Sequence, residues 1–241
     1  MTGYTHAGSG RRRRRHGGEP DVTGATAARL PVPPQIRDAG VVAIGRRLEP
    51  GTVVGIGEAL ARGGIGAFEI TLDSDGSLAV LERLAHRFDD GRELLVGAGT
   101  VLDEEAARAA VRAGARFLVM PHLDEALVRV AVEDGVPVFP GAFTPTEIVA
   151  AWRAGATAVK LFPASVAGVA FVREFRGPFR DIPLLPTGGV SLESAPAFIA
   201  AGAVAVGLGS WLVAGGEPAT IESRARALVA AIATARGATA R

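Results

Sequence analysis

One lysine stands in this chain of 241 residues: Lys160, in the stretch Ala156–Ser165, ATAVKLFPAS. The other 25 of its 26 basic residues are arginine. Arginine is the better ion-pairing residue, because guanidinium pairs bidentately and is weakly hydrated. It keeps its proton, however, whereas a lysine stripped of water can lose its own. A neutral amine attacks carbonyl carbon and forms a Schiff base. Lys160 lies in an apolar run that reads as a buried strand, and two readings of it stand: an amine kept for its chemistry, or a paired or snorkelling lysine at a strand end. Glu69, in AFEITL (67–72), is the matching acid. A carboxylate among Phe68, Ile70 and Leu72 is costly without a partner. Burial raises its pKa toward neutrality, which suits proton transfer. The competing reading is a structural ion pair with Lys160 or with an arginine.

Other candidates surround these two. Thr187-Gly188-Gly189 and Gly207-Leu208-Gly209-Ser210 are glycine turns that let backbone N–H groups approach an anion closely, and they are equally consistent with tight turns that hold no ligand. Arg46 follows VVAIG and could reach a carboxylate or phosphate, or lie as a surface cation. Thr100 follows the glycines of GAG. Phe162 and Pro163, beside the lysine, could form an apolar wall that keeps the amine dry, and ordinary packing accounts for them as well. His122 follows Pro121 at a strand end and has no visible partner.

The elements that must position these residues follow a rhythm that starts at residue 41. Eight short apolar runs read as buried strands: VVAIG (41–45), AFEITL (67–72), ELLVGAG (93–99), RFLVMP (116–121), VPVFPGAF (136–143), AVKLFPA (158–164), IPLLPTGG (182–189) and VAVGLGS (204–210). Segments of helical length alternate with them: 51–63, 77–88, 103–113, 124–134, 145–154, 168–176, 192–201 and 218–236. Glycines at 64, 114, 135, 155 and 202 end helices, and Thr144-Pro145 and Ser191 read as helix starts. This alternation predicts an α/β chain folded as a (βα)8 TIM barrel, with an open parallel sheet as the alternative. In a barrel the chemistry gathers where strands end, and a phosphate site usually forms after strands 7 and 8. Glu69, Thr100, Lys160 and both glycine turns fall at those ends.

Composition narrows the function further. Residues 1–35 are rich in Gly, Arg, Thr and Pro and read as a disordered, Arg-rich extension, with residues 36–241 forming the barrel and 35–39 a short helix that plugs or flanks it. RRRRR at 11–15 lacks interleaved aromatics and an apolar segment after it, so it reads as a solvated tail rather than a nucleic-acid site or export signal. Seven arginines against three acids fall in residues 1–40, which leaves the body acidic and unsuited to nucleic acid. There is no cysteine, the four histidines show no metal-ligand spacing, and no apolar run approaches the roughly 18–20 residues of a membrane span. The expectations are a cytoplasmic protein with no membrane partner and no metal.

The motifs EITL, VGAGTVL, PG-x-x-TPTE, VKLFPAS, PTGGV and GSWLV, in this order and spacing over about residues 36–236, resemble the family of 2-keto-3-deoxy-6-phosphogluconate (KDPG) and 4-hydroxy-2-oxoglutarate (KHG) aldolases. The resemblance implies a homotrimer and class I, metal-independent cleavage of a 2-keto acid through a pyruvate Schiff base. It implies that Lys160 forms the imine and Glu69 shuttles protons. It further implies that Thr100 holds the pyruvyl carboxylate and that Gly188, Gly189 and Ser210 hold a phosphate, with Thr187, Gly209 and Phe162 around them. One position departs from the pattern. Gluconate-type enzymes carry arginine four residues after the glutamate, where this chain has Asp73. The galactonate-type relatives have EIPLNS there and an arginine after the first strand, as Arg46 is here. Other phosphate-binding barrel enzymes, isomerases or proteins similar to thiamine-phosphate synthase, and a non-catalytic sugar-acid-binding barrel are the alternatives. A lysine imine separates the aldolase from all of them.

Overall fold

The structure is a computed structural model and describes residues 29–215 and 217–239. It opens with helix α1 (Pro34–Ala39), which starts on a proline and ends at Gly40 in the left-handed region. Strands and helices then alternate: β1 (Val41–Gly45), α2 (Val53–Arg62), β2 (Ala67–Thr71), α3 (Ser77–Arg87), β3 (Leu95–Gly99), α4 (Glu104–Arg112), β4 (Leu118–Val119), α5 (Glu125–Glu133), β5 (Val138–Phe139), β6 (Gly141–Ala142), α6 (Pro145–Ala154), β7 (Val159–Leu161), α7 (Ala164–Phe175), β8 (Leu184–Pro186), α8 (Ala195–Ala200), β9 (Val206–Leu208), α9 (Ser210–Val213) and α10 (Pro218–Thr239).

The fifth expected strand is two segments. Pro140 has no N–H to give to a ladder and separates β5 from β6. β5 closes one sheet, in the order β5-β4-β3-β2-β1-β9, and β6 opens the other, in the order β6-β7-β8. Backbone bonds from Lys160 to the Pro140 carbonyl (2.9 Å) and from Thr157 to the Val138 carbonyl (2.9 Å) carry the pairing across this break. A parallel bridge between Thr187 and Gly207 and a bond from the Val204 N–H to the Leu184 carbonyl (3.0 Å) join β8 to β9. The result is the closed (βα)8 barrel.

Side chains alternate across each strand, which divides the core in two. Phe68, Ile70, Val159 and Leu161 face outward and pack beneath the helices. Val42, Ala67, Leu95, Phe117, Phe139, Ala158 and Leu185 fill the interior, with Ile36 of α1 buried among them as the plug expected of that helix. Phe117 and Phe139 meet edge to face at 5.9 Å and form a floor. Continuing the same alternation, Glu69 comes two residues after Ala67 and Lys160 two residues after Ala158. Both ionisable groups therefore point inward, above the floor.

Helix starts match the expected caps in part. Thr144 and Glu147 form a capping box. The Ser191 hydroxyl accepts from the Ser194 N–H at 3.3 Å while donating to Glu193 at 2.6 Å, so it caps the turn that leads into α8, which begins after Ser194. Ordered packing also starts earlier than residue 36. Residues 1–28 of the expected extension lie outside the described residues, but residues 29–35 pack on the barrel. Arg29 donates to the carbonyls of Ala156 (3.1 Å) and Trp152 (2.6 Å) and lies 3.3 Å from the centroid of the Trp152 ring. Val32 packs on the interior cluster. Arg29→Ala removes a cation–π contact and two carbonyl bonds, and is expected to cost about 1–2 kcal/mol. Chemical denaturation of the variant checks this, and an unchanged midpoint would show that the strap contributes nothing.

Candidate active site

A cleft of about 490 Å3 opens at the C-terminal ends of the strands. Eleven of the residues singled out from the sequence line it: Lys160, Glu69, Arg46, Thr100, Phe162, Thr187, Gly188, Gly189, Gly207, Gly209 and Ser210, whereas Pro163 and Leu208 do not. His122 is exposed and is not among the lining residues. The sequence reading missed Ile44, Pro121, Val190 and Trp211 as lining residues. The signal for Val190 and Trp211 was present, since they lie in the PTGGV and GSWLV motifs.

β2 delivers Glu69, in register with Ile44 of β1 and Gly97 of β3. Its side chain is 2% exposed. The glycines of β3 make room for it. A Cβ at Gly99 would lie 1.7 Å from Glu69 Oε1, and one at Gly97 would lie 2.5 Å from the Phe117 ring. The strand therefore omits side chains where the floor and the carboxylate already fill the space. β7 delivers Lys160, paired with Gly141 and Leu185 and 5% exposed. Its Nζ lies 5.0 Å from the centroid of the Phe162 ring. Among the described residues neither Lys160 nor Glu69 forms a salt bridge, although each feels the other's charge and that of Arg46.

Burial dominates both ionisations. It holds the Lys160 ammonium below the ordinary 10.5, with Glu69 opposing the shift and Arg46 adding to it. It lifts the Glu69 carboxyl above the ordinary 4.5, with Lys160 and Arg46 opposing and Asp73 adding. Desolvation thus favours the neutral amine and the neutral acid, the forms that attack a carbonyl and donate a proton.

At the rim, Arg46 pairs with Asp73 through Nη1. Thr100 has φ of 56°, a left-handed conformation uncommon for a β-branched residue, at the end of β3. Across the cleft, the glycine turns after β8 and β9 lie side by side. Thr187 is buried, and its hydroxyl donates to the Leu185 carbonyl at 3.2 Å. A Cβ at Gly207 would meet Thr187 Oγ1 at 2.4 Å, and one at Gly188 would meet the Phe162 ring at 2.8 Å. Backbone on one wall, an aromatic ring beside it and a dry amine opposite a carboxylate form a site for an anionic carbonyl compound. Among the described residues no group of three or more His, Cys, Asp or Glu side chains is placed to hold a metal ion.

Gly99→Ala must displace Glu69 while leaving the strand backbone able to form. It is expected to lower kcat by about tenfold or more, because small misplacements of a catalytic group are costly. Steady-state kinetics alongside a melting curve checks this. Full activity would place Glu69 outside the chemistry.

The family model for KDPG and KHG aldolase matches residues 32–226. A 2-dehydro-3-deoxy-phosphogluconate aldolase of Pseudomonas aeruginosa is 41% identical over 162 residues, 67% of this chain and 72% of that protein. A probable 2-dehydro-3-deoxy-6-phosphogalactonate aldolase of Rhizobium meliloti is 37% identical over 205 residues, 84% of this chain and 95% of that protein. Among solved structures, a KDPG aldolase from Legionella pneumophila, with pyruvate captured at low pH as a covalent carbinolamine intermediate, superposes with a TM-score of 0.69 at 28% identity. That match covers 83% of this chain and 95% of the other.

Proposed function

The chain belongs to the KDPG and KHG aldolase family and is a class I aldolase, and we propose that Lys160 carries its imine and Glu69 moves its protons. The observation that supports this assignment is the buried, unpaired amine of Lys160 facing a cleft that also holds a buried, unpaired carboxylate.

The 2-keto group of the substrate condenses with neutral Lys160 and releases water, and the neutral Glu69 carboxyl gives its proton to the imine nitrogen and becomes a carboxylate. The protonated imine then serves as an electron sink. Glu69 takes the proton of the C4 hydroxyl, the C4–O bond becomes a carbonyl, and the C3–C4 electron pair moves into the imine. This leaves an aldehyde and the enamine of pyruvate. Glu69 returns the proton to C3, and water hydrolyses the imine to release pyruvate and Lys160. Phe162 shields the amine from water. Thr100 and Arg46 take the carboxylate next to the keto group. The turns with Thr187, Gly188, Gly189, Gly209 and Ser210 take the distal phosphate through backbone N–H groups and the Ser210 hydroxyl. The substrate class is a 2-keto-3-deoxy-6-phospho sugar acid of the gluconate or galactonate type, with 4-hydroxy-2-oxoglutarate as a shorter alternative. The imine supplies the electron sink, so the mechanism assigns no metal. The reading carries with it a homotrimer, as the resemblance implies, working in the cytoplasm on a small 2-keto acid.

Two experiments test the two ends of the cleft. Lys160→Arg keeps the charge and removes the nucleophile, so it is expected to fold and to lose turnover to background. Borohydride with pyruvate is expected to add one label to the wild type, at Lys160 by peptide mapping, and none at that position in the variant. Because burial depresses the Lys160 pKa, the neutral amine grows as pH rises through a midpoint below 10.5, and the trapping rate should climb with it. An active variant, or an unlabelled wild type, would remove the central residue of the mechanism. At the other end, Ser210→Asp sets a negative charge against the phosphate and is expected to raise KM for phosphorylated substrates by about tenfold or more. Activity on 4-hydroxy-2-oxoglutarate should suffer far less. Equal damage to both substrates would place the phosphate elsewhere.

A further inference from the structure

The turns after β1 and β2 bring together Arg46 and Asp73, 27 residues apart in the chain, as an ion pair at the cleft mouth. Arg46 lines the cleft and Asp73 is not among its lining residues. We infer that Asp73 is a positioning residue, holding the Arg46 guanidinium over the cleft in the orientation that receives the substrate carboxylate. The inference rests on the aldolase reading of the cleft and adds to it a residue that makes no contact with substrate.

Asp73 is the fixed member of the pair. Its side chain is 23% exposed against 55% for Arg46. Thr71, buried at the end of β2, places its hydroxyl between the Gly45 carbonyl (3.2 Å) and the Asp73 carboxylate, with its one hydrogen available to either. Partial burial pushes the Asp73 pKa up, but the Thr71 hydroxyl and Arg46 together hold it below the ordinary 3.8, so the carboxylate stays charged at neutral pH. Arg46, by contrast, is a long arm on an exposed turn, and an unrestrained guanidinium loses considerable rotamer freedom when it binds a ligand. Holding it beforehand removes that cost from the binding step.

The geometry leaves Arg46 free to do more than pair. The contact with Asp73 runs through Nη1, and a guanidinium has five N–H donors in a planar fork. The remaining donors are available to a second carboxylate. The guanidinium is also close enough to the reacting groups to act on both: its charge lowers the pKa of Lys160 and of Glu69. The opposite effect of Asp73 is competition, in which its carboxylate withholds Arg46 from the substrate. Positioning and competition predict opposite changes in KM.

The test uses Asp73→Asn and Asp73→Glu in the full-length enzyme, each alone and combined with Arg46→Ala. The readouts are KM and kcat for cleavage of 2-keto-3-deoxy-6-phosphogluconate and its galactonate epimer, and borohydride trapping at saturating pyruvate. Positioning predicts that Asp73→Asn raises KM about five- to tenfold on whichever epimer the wild type cleaves, with kcat changed less than about twofold. Asp73→Glu should recover part of the loss, and in the Arg46→Ala background Asp73→Asn should add nothing. An unchanged or lowered KM in Asp73→Asn overturns the inference, as does an equal effect with and without Arg46. Intact trapping in Asp73→Asn shows that the variant folds and forms its imine. A wild type that takes up no pyruvate overturns the aldolase reading and this inference together, an outcome distinct from a labelled enzyme whose KM does not move.

Discussion

A dry amine and a dry carboxylate that share one interior without bonding to each other set the terms for this structure. Had Lys160 and Glu69 met as an ion pair, their attraction would hold the lysine protonated and unreactive. The barrel prevents this by topology. With β5 and β6 counted as one strand, three strands separate β2 from β7 in either direction around the wall. The two side chains therefore start from opposite walls and point toward the same space. They remain close enough for each to influence the other's ionisation, while burial is the larger effect on both. The separation leaves a gap with the amine on one side and the carboxyl group on the other.

Keeping that gap dry and open places demands on residues that take no part in the chemistry. The floor of Phe117, Phe139 and Ile36 closes the lower end of the interior, which accounts for a plug helix ahead of the first strand. Above the floor the wall is thinned. Gly97 gives way to Phe117, Gly99 to Glu69 and Gly207 to Thr187. A barrel of this size is normally filled by its own side chains. Here one strand omits two of them, so an ionisable group and an aromatic ring occupy the volume.

Much of this was legible in the sequence because apolar runs and glycines punctuate it. The runs AFEITL and AVKLFPA marked Glu69 and Lys160 as buried in strands, at the ends where a barrel gathers its chemistry, and glycines at strand ends marked both turns. Lys160 stood out because every other cation is arginine. What escaped depends on turns and on long side chains. No pattern joins Arg46 to Asp73, because the approach of two turns from adjacent strands is set by the twist of the sheet. Asp73 could be seen as a departure from the family pattern, but its partner could not. Arg29 was hidden for a different reason. It sits in a Gly-, Arg- and Thr-rich stretch with no periodicity, and only the position of Trp152 on the folded surface gives it a ring to lie on. Pro140 within VPVFPGAF could have suggested a broken strand, since proline within a sheet marks an edge or an interruption.

Volume alone would point to the wrong place. A groove of about 670 Å3, larger than the cleft, runs along the outer helices and is lined by residues such as Arg129, Val149, Arg153 and Phe179. Its charged groups are exposed arginines and a glutamate, and Arg129 already pairs with Glu125 one helical turn away. Solvated charges of this kind are satisfied by water at little cost. The smaller cleft differs in kind. It holds two groups that burial drives toward neutrality, with a glycine-rich wall facing them. Desolvation makes a lysine nucleophilic and a glutamate able to donate a proton, and desolvation requires the enclosed end of a barrel rather than the open surface between two helices.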